Sequence, residues 1–188
     1  YTGTFGPMTA RAELALGEVA GSSSVNSAQS VGLNYAEGPL ALGAAYLQRK
    51  DGTTASAATF DYKNYKLGGA YKFGPARVAA GYSNQKQATT TVDTTTKNAW
   101  VGLSYAVAPT TEITGAYFQT KLSAGVNGAG DGKKNLLMLS ATYALSKRTN
   151  LYALIDQAKL DGALRIGGNA AVNQDRQRDV AVGINHLF

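Results

Sequence analysis

The stretch that decides the fold is the end of the chain, Val180-Ala-Val-Gly-Ile-Asn-His-Leu-Phe188. Every second residue of it, from Val180 to Phe188, could face one environment while the residues between face another. A period of two is the side-chain period of a β-strand, so the pattern predicts a strand with two unlike faces. The chain stops on a large aromatic residue, whereas the last residues of most domains are poorly ordered unless they are tied down.

The composition favours strands and turns over long helices. The 188 residues include 22 Gly and 11 Tyr but only 4 Pro and 2 Met. The absence of Cys excludes a disulfide framework and a thiolate metal site. The longest apolar runs, such as Leu136–Leu139, are far shorter than the ~20 residues of a membrane helix, but a barrel strand needs only about 9–11 residues.

Short turns and long polar stretches alternate along the whole chain. The short turns are Gly6-Pro7, Gly38-Pro39, Gly74-Pro75, Pro109-Thr110 and Lys147-Arg148, with first members 32 to 38 residues apart. The polar stretches are Glu18–Gln29, Lys50–Asp61, Gln87–Thr96, Ser123–Lys133 and Asp161–Gln177. This quasi-period predicts one hairpin per repeat, with short turns at one end of the strands and long loops at the other, as in bacterial outer-membrane barrels.

This alternation of short turns and long loops predicts ten antiparallel strands. They are expected at residues 8–17, 30–36, 40–49, 62–73, 76–86, 97–107, 111–122, 134–145, 150–160 and 178–188. Because ten is even, the chain should finish at the short-turn end, with Phe188 at that rim.

Within these strands the parity of the residues separates an apolar face from a polar one. That alone would suit a soluble β-sandwich equally well. The aromatics favour an all-β transmembrane barrel, because those of apolar parity gather in two groups. Tyr35, Tyr71, Phe73, Tyr105, Tyr143 and Phe188 lie near short turns or the terminus, and Tyr46, Tyr65, Tyr82 and Tyr117 lie nearer the long loops. Tyrosine suits the two membrane interfaces, where its ring is apolar and its hydroxyl stays wet.

The charged residues of polar parity are the candidates for the wall of a channel. The basic candidates are Arg11, Arg49, Lys66, Lys72 and Arg77, and the acidic ones are Glu13, Glu112, Asp156 and Asp179. The net charge of +6 is spread over strands and turns without a basic helix or run, which argues against nucleic acid as a partner. A net positive lumen would favour anions. The alternative is that each basic group only solvates the wall or pairs with a nearby carboxylate.

Residues for catalysis are scarce. His186 is the single histidine, and without Cys neither a Ser–His dyad in the pore nor a multi-His metal cluster is easily built. The loop Gly125–Gly132 lacks the acidic ligands of a calcium loop and the Lys-Ser/Thr of a phosphate loop. We therefore expect no enzyme activity, no cofactor and no metal.

Several segments resemble the Gram-negative general porins of the β-proteobacterial type. They are Phe5–Thr9, Gly17–Gly21, Leu33–Tyr46, Tyr143–Tyr152 and the closing Gly183–Phe188; a departure is Asn185, where that family commonly has Arg. The resemblance implies a sixteen-stranded homotrimeric barrel in the cell outer membrane that conducts ions and small hydrophilic solutes by passive diffusion. The chain is too short for sixteen strands, so residues 1–188 are expected to be the C-terminal part of one porin barrel domain. The first six strands and the constriction loop would be absent, leaving Arg11 and Arg77 as candidates for the basic wall that faces this loop.

The resemblance also implies that the closing strand is recognised by the outer-membrane barrel assembly machinery. The signal would consist of Ile184, His186 and Phe188, read as alternate side chains of a strand that pairs by main-chain bonds. Two other classes of protein remain open at this point. One is another outer-membrane barrel, such as an autotransporter translocator, and the other is a soluble β-sandwich binding module.

Overall fold

The computed structural model describes residues 1–52, 59–124, 130–169 and 172–187. The strands in these ranges are β1 (Thr2–Phe5), β2 (Met8–Ala15), β3 (Ala28–Glu37), β4 (Leu40–Asp51), β5 (Phe60–Phe73), β6 (Ala76–Gln87), β7 (Thr94–Ala108), β8 (Thr111–Ser123), β9 (Gly132–Ala144), β10 (Thr149–Gly162), β11 (Ile166–Asn169), β12 (Val172–Gln174) and β13 (Arg176–His186). Across those ranges we find no helix long and apolar enough to cross a bilayer.

Eleven strands form one antiparallel sheet in chain order, from β1 to β10 and then β13. All ten predicted strands are present in it. The prediction missed β1, because four residues are too few to show a period; what defines this strand is its pairing, with Phe5 opposite Met8 and Thr2 opposite Arg11. It also missed the hairpin of β11 and β12, which lies within the predicted polar stretch Asp161–Gln177.

Strand ends at the long loops depart from the predictions by up to three residues. The largest shift is in the predicted loop Gln87–Thr96, where β7 already begins at Thr94. Threonine is polar but favours strands, and Thr94 pairs with Gln87 of β6. The last strand is Arg176–His186, so Phe188 lies outside the described residues. The glycine-rich loop Gly125–Gly132 and the polar stretch Lys50–Asp61 also lie partly outside them.

The short turns repeat one geometry. Gly6, Gly38 and Gly74 have φ values of 58°, 55° and 56°, which a glycine followed by proline adopts in a two-residue hairpin turn that starts at positive φ. In each of these turns the proline carbonyl accepts a hydrogen bond from the strand after the hairpin, and the first case is the bond from Ala36 N–H to Pro7 O at 2.9 Å. The repeated bond continues the ladder of main-chain hydrogen bonds to the end of the strands at each Gly-Pro turn.

The register gives the sheet two faces of opposite character. The polar face carries Arg11, Lys66 and the residues aligned with them, and the apolar face carries Leu33, Leu67 and theirs. Large apolar side chains on the apolar face stay exposed, 72% for Leu14 and 77% for Val182. A soluble sandwich would bury them under a second sheet, but the other sheet among the described residues is only the β11–β12 hairpin.

The sheet curls toward its polar face. A Cβ placed on Gly102, on the polar face, would lie 3.4 Å from the Cβ of Ala116 on the neighbouring strand. Cross-strand Cβ atoms in a flat sheet are typically about 4.5–5.5 Å apart. On the apolar face, a Cβ placed on Gly115 would meet nothing within 4 Å. The polar face is therefore the concave one, as in a wall of a barrel.

Candidate pore-lining face

All nine charged residues predicted for a channel wall lie on the polar face. The pairings that place them there are continuous from β2 to β13. The register gives the position of each of these residues on the face. It divides the polar face into a mainly basic region and a mainly acidic region. Arg11, Arg49, Lys66, Lys72 and Arg77 all belong to β2–β6, whereas Glu112, Asp156 and Asp179 belong to β8–β13.

Arg11 and Lys66 occupy one row across the sheet. Arg11 is opposite Gly32, Gly32 is opposite Ala45, and Ala45 is opposite Lys66. The two residues between the cations have small side chains, so nothing bulky separates the guanidinium from the ammonium along the wall. The register thus gathers two charges that are 55 positions apart in the sequence.

A second basic pair lies nearer the short turns. Lys72 of β5 and Arg77 of β6 are directly opposite each other, beside the Gly74-Pro75 turn. Like charges in directly opposed positions destabilise a sheet unless solvent or a counterion screens them. The pair therefore indicates a wet environment at this end of the polar face.

Arg49 differs from the other basic candidates because it already has partners. Its Nη2 donates to Asp51 Oδ2 at 3.0 Å, and its Nε bonds to the other carboxylate oxygen. The guanidinium carbon also lies 4.9 Å from the ring centroid of Tyr62, within cation–π range. Arg49 is thus neutralised locally, as the alternative interpretation of the sequence held.

The acidic candidates are dispersed. Asp156 and Asp179 are directly opposite each other on β10 and β13, and Glu112 lies opposite Thr142 near the short-turn end. Glu13 lies within the basic region and accepts a hydrogen bond from Ser30 Oγ at 3.4 Å. Sequence reasoning left out Lys134 and Asp51, which the register also places on the polar face; the parity rule would have found both.

An aromatic and glycine row crosses the middle of the polar face, and the sequence analysis overlooked it. Gly43, Gly68 and Gly81 are opposite one another on β4, β5 and β6, and the row continues through Trp100 and Phe118. The two aromatic rings stack with centroids 6.3 Å apart. Because Gly81 has no side chain, the Trp100 indole can lie over its backbone, while Phe118 stacks against the same indole from the next strand.

The basic half of the polar face lines an open cavity of about 1090 Å³. Its lining includes Arg11, Asn34, Lys66, Ser83 and Trp100. The Asn64 side chain also reaches this cavity, and its Oδ1 is enclosed without a hydrogen-bond partner. Such a set of cations, amides and hydroxyls can solvate a small polar or anionic solute. Across the described ranges, we found no group of three or more His, Cys, Asp or Glu side chains that could hold a metal ion.

On the apolar face the aromatics lie where the sequence predicted them. Tyr71, Phe73, Tyr105 and Tyr143 are 46% to 50% exposed near the short turns. Nearer the long loops, the Tyr65 hydroxyl accepts from Asn84 Nδ2 at 3.0 Å and the Tyr117 hydroxyl donates to Asn135 Oδ1 at 2.9 Å. These hydroxyls mark the boundary between the apolar belt and a polar zone, which is the arrangement of an interfacial aromatic girdle.

The closing strand exposes Ile184 on the apolar face, in line with Val180 and Val182. His186 is opposite Thr149, and its Nδ1 is 2.9 Å from the Thr149 hydroxyl oxygen. This contact joins the end of β13 to the start of β10. Two of the three residues predicted as an assembly signal therefore lie on one face, and the third, Phe188, is outside the described residues.

Comparison with known proteins is consistent across sequence and structure. A family model described as Gram-negative porin matches residues 1–163. An outer membrane porin protein of Bordetella pertussis is 30% identical over an alignment 194 positions long, which covers 85% of this chain and 46% of that protein. The chain thus spans about half the length of this curated relative.

Solved structures show the same fold. An anion-selective porin from Comamonas acidovorans superposes with a TM-score of 0.80 and 24% identity, over 99% of this chain and 57% of that one. The outer membrane protein OmpT of Vibrio cholerae superposes with a TM-score of 0.75 and 16% identity, over 99% and 62%. The family is one of channels rather than enzymes. With a family model covering most of its length and a porin fold throughout, the chain belongs to the Gram-negative porin family.

Proposed function

We propose that this chain forms part of an outer-membrane channel through which ions and small hydrophilic solutes diffuse passively. The observation that carries the proposal is the division of one curved sheet into an exposed apolar face and a concave, charged face. A sheet of this kind is stable where lipid covers the outside and water fills the inside. The family and the outer-membrane relative support this location.

Among the described residues the sheet does not close on itself, since no pairing joins β1 to β13. Within the described residues, β1 and β13 each have a single neighbour, and the matched porins are longer than this chain. We infer that residues 1–188 are one portion of a single barrel domain, completed by strands that pair with these two edges. The likeness to porins, one of them a Vibrio cholerae protein solved as a trimer, supports a homotrimer.

We further infer that the channel prefers anions. The support is the basic region of β2–β6, in which Arg11, Lys66, Lys72 and Arg77 make no ion pair among the described side chains. Unpaired cations along a narrow wet lumen attract anions and repel cations. The structural neighbour from Comamonas acidovorans is itself called anion-selective, which agrees with this inference.

Planar bilayers test both statements. The full-length protein should give stepwise conductance, and a potassium chloride gradient should give a reversal potential of the sign expected for chloride preference. Heat-modifiable migration shows that the protein is folded. If the folded protein gives no conductance steps, the proposal of a channel is overturned. Steps with a reversal potential of the opposite sign would keep the channel and overturn the anion preference.

We also propose that the barrel assembly machinery recognises β13 through Ile184, His186 and Phe188. A strand with one free edge can be captured by main-chain pairing, with alternate side chains giving specificity. Deleting Phe188 should leave synthesis unchanged and reduce the amount of protein assembled in the outer membrane. Assembly equal to that of the wild type would contradict this role.

A further inference from the structure

The polar face holds a recess over Gly68 of β5. The three atoms nearest to a Cβ placed on this glycine all belong to the backbone, among them Ala80 O at 3.0 Å and Gly81 Cα at 3.5 Å. The space directly over Gly68 is therefore free of side chains. It belongs to the open cavity of about 1090 Å³. Small-molecule sites typically measure about 300–1,000 Å³, so the cavity has room for a one-ring solute.

Planar side chains stand on both sides of this space. On one side, Asn34 Oδ1 lies 2.9 Å from the Cβ position of Gly43, and on the other the Trp100 indole lies over Gly81. Gly43 and Gly81 belong to the two strands that flank β5, so they are two interstrand spacings, or about 9.6 Å, apart. An aromatic ring in van der Waals contact on both sides needs about 7–8 Å. One flat ring therefore fits between the amide and the indole.

The two ends of the recess differ in charge. Lys66 is two residues from Gly68 on the same face of β5, about 6.8 Å along the strand, which a lysine side chain can span. It is exposed and makes no ion pair with a carboxylate of the described residues. Two residues beyond Gly68 in the other direction, Ala70 is opposite Ala41 and Ala79, so only methyl groups line that end. The recess is thus basic at one end and apolar at the other.

We propose that this recess, formed by Asn34, Lys66, Gly68 and Trp100 and called the aromatic recess below, binds carboxylates that carry a single aromatic ring. The ring stacks on the indole, and the carboxylate accepts a charge-assisted hydrogen bond from the ammonium group. An inorganic anion uses only the ammonium group, and a neutral ring uses only the walls. This role rests on the proposed channel, because solutes reach the recess through the lumen.

Calorimetric titration of the full-length protein in neutral detergent measures binding without conduction. Benzoate, cyclohexanecarboxylate and benzyl alcohol are the probes, because they separate the flat ring from the charge. We expect benzoate to bind about fivefold more tightly than cyclohexanecarboxylate, which has the same charge on a ring that is not flat. We expect it to bind about tenfold more tightly than benzyl alcohol, which has the flat ring without the charge.

Substitutions at the recess remove one contribution at a time. Trp100→Leu should weaken benzoate binding about fivefold and leave cyclohexanecarboxylate binding nearly unchanged, whereas Trp100→Phe keeps a ring and should retain most of the affinity. Lys66→Gln should weaken the binding of both carboxylates about tenfold and leave that of benzyl alcohol unchanged. Lys63→Gln is the matched control, because it removes the same charge from the same strand on the apolar face, and it should leave all three affinities unchanged.

Heat-modifiable migration confirms that each variant is folded before its affinity is compared. Equal affinities of the unsubstituted protein for benzoate and cyclohexanecarboxylate would overturn the proposal, as would equal losses in Lys66→Gln and Lys63→Gln. If the protein conducts in bilayers but does not bind benzoate, the aromatic recess is overturned and the channel is kept. If it binds benzoate with the expected preferences but gives no conductance steps, the binding site is kept and the channel is overturned.

Discussion

The indole ring of Trp100 lies directly over Gly81 of the neighbouring strand. A Cβ added to this glycine would come within 2.6 Å of the indole Nε1 and within 2.9 Å of two ring carbons. The ring also stacks on Phe118, so it is held between a bare backbone and a second aromatic ring. The relationship places the only Trp of the chain on the polar face, inside the proposed channel.

Replacing Gly81 by Ala should displace this ring. We expect a loss of about 1–3 kcal/mol in the free energy of unfolding, because the added methyl group overpacks a filled site. Since Trp100 is the single Trp, its fluorescence reports the displacement directly, as a red shift of the emission maximum. Gly115→Ala is the matched control, because its Cβ meets nothing within 4 Å on the apolar face. Equal emission spectra for the two variants would contradict the packing described here.

The basic residues of the polar face should differ in their effect on selectivity. We expect Lys66→Gln to reduce the anion preference more than Arg49→Gln does, because Asp51 already neutralises Arg49. Lys63→Gln, on the same strand as Lys66 but on the apolar face, should leave the reversal potential unchanged. The reversal potential in a salt gradient measures all three. A larger effect from Arg49→Gln than from Lys66→Gln would reverse the order that the ion pairs predict.

The closing strand allows the assignment of faces to be tested with neighbouring residues. Val182 is 77% exposed on the apolar face, and Ala181 points to the polar face. Val182→Arg should cost about 2–4 kcal/mol, the penalty for a cation on the lipid side of a barrel near mid-depth, whereas Ala181→Arg should cost far less. Urea unfolding in phospholipid vesicles measures both free energies. Similar losses of unfolding free energy in the two variants would mean that the two faces of β13 do not contact lipid on one side and water on the other.

Lys86, near the end of β6, donates a hydrogen bond to Asp93 in the loop that follows, and this bond lowers the pKa of the Asp93 carboxyl below its ordinary value of 3.8. A carboxyl with a lowered pKa in the folded state stabilises the loop above its ordinary pKa, and that contribution is lost as pH falls through the lowered value. The carboxyl ¹³C shift of Asp93 should therefore titrate below pH 3.8, and Lys86→Gln should return the midpoint toward it. An unchanged midpoint in the variant would exclude this ion pair in solution.

The sequence by itself determined the strands and their two faces. Alternation is a local property, so Val180, Val182 and Ile184 could be assigned to one face without knowledge of any partner strand. The Gly-Pro turns were equally local, because a glycine before proline suits a two-residue hairpin. The four residues of β1 escaped this reasoning, since a strand so short is defined only by the partner with which it pairs.

Only the tertiary structure decided which residues are neighbours across the sheet. Parity assigned Arg11 and Lys66 to one face but could not place them in one row, because a row depends on the register of every strand between them. The same holds for Trp100 over Gly81. These juxtapositions join residues that are far apart in the chain, and hydrogen-bonded register is the physical property that brings them together.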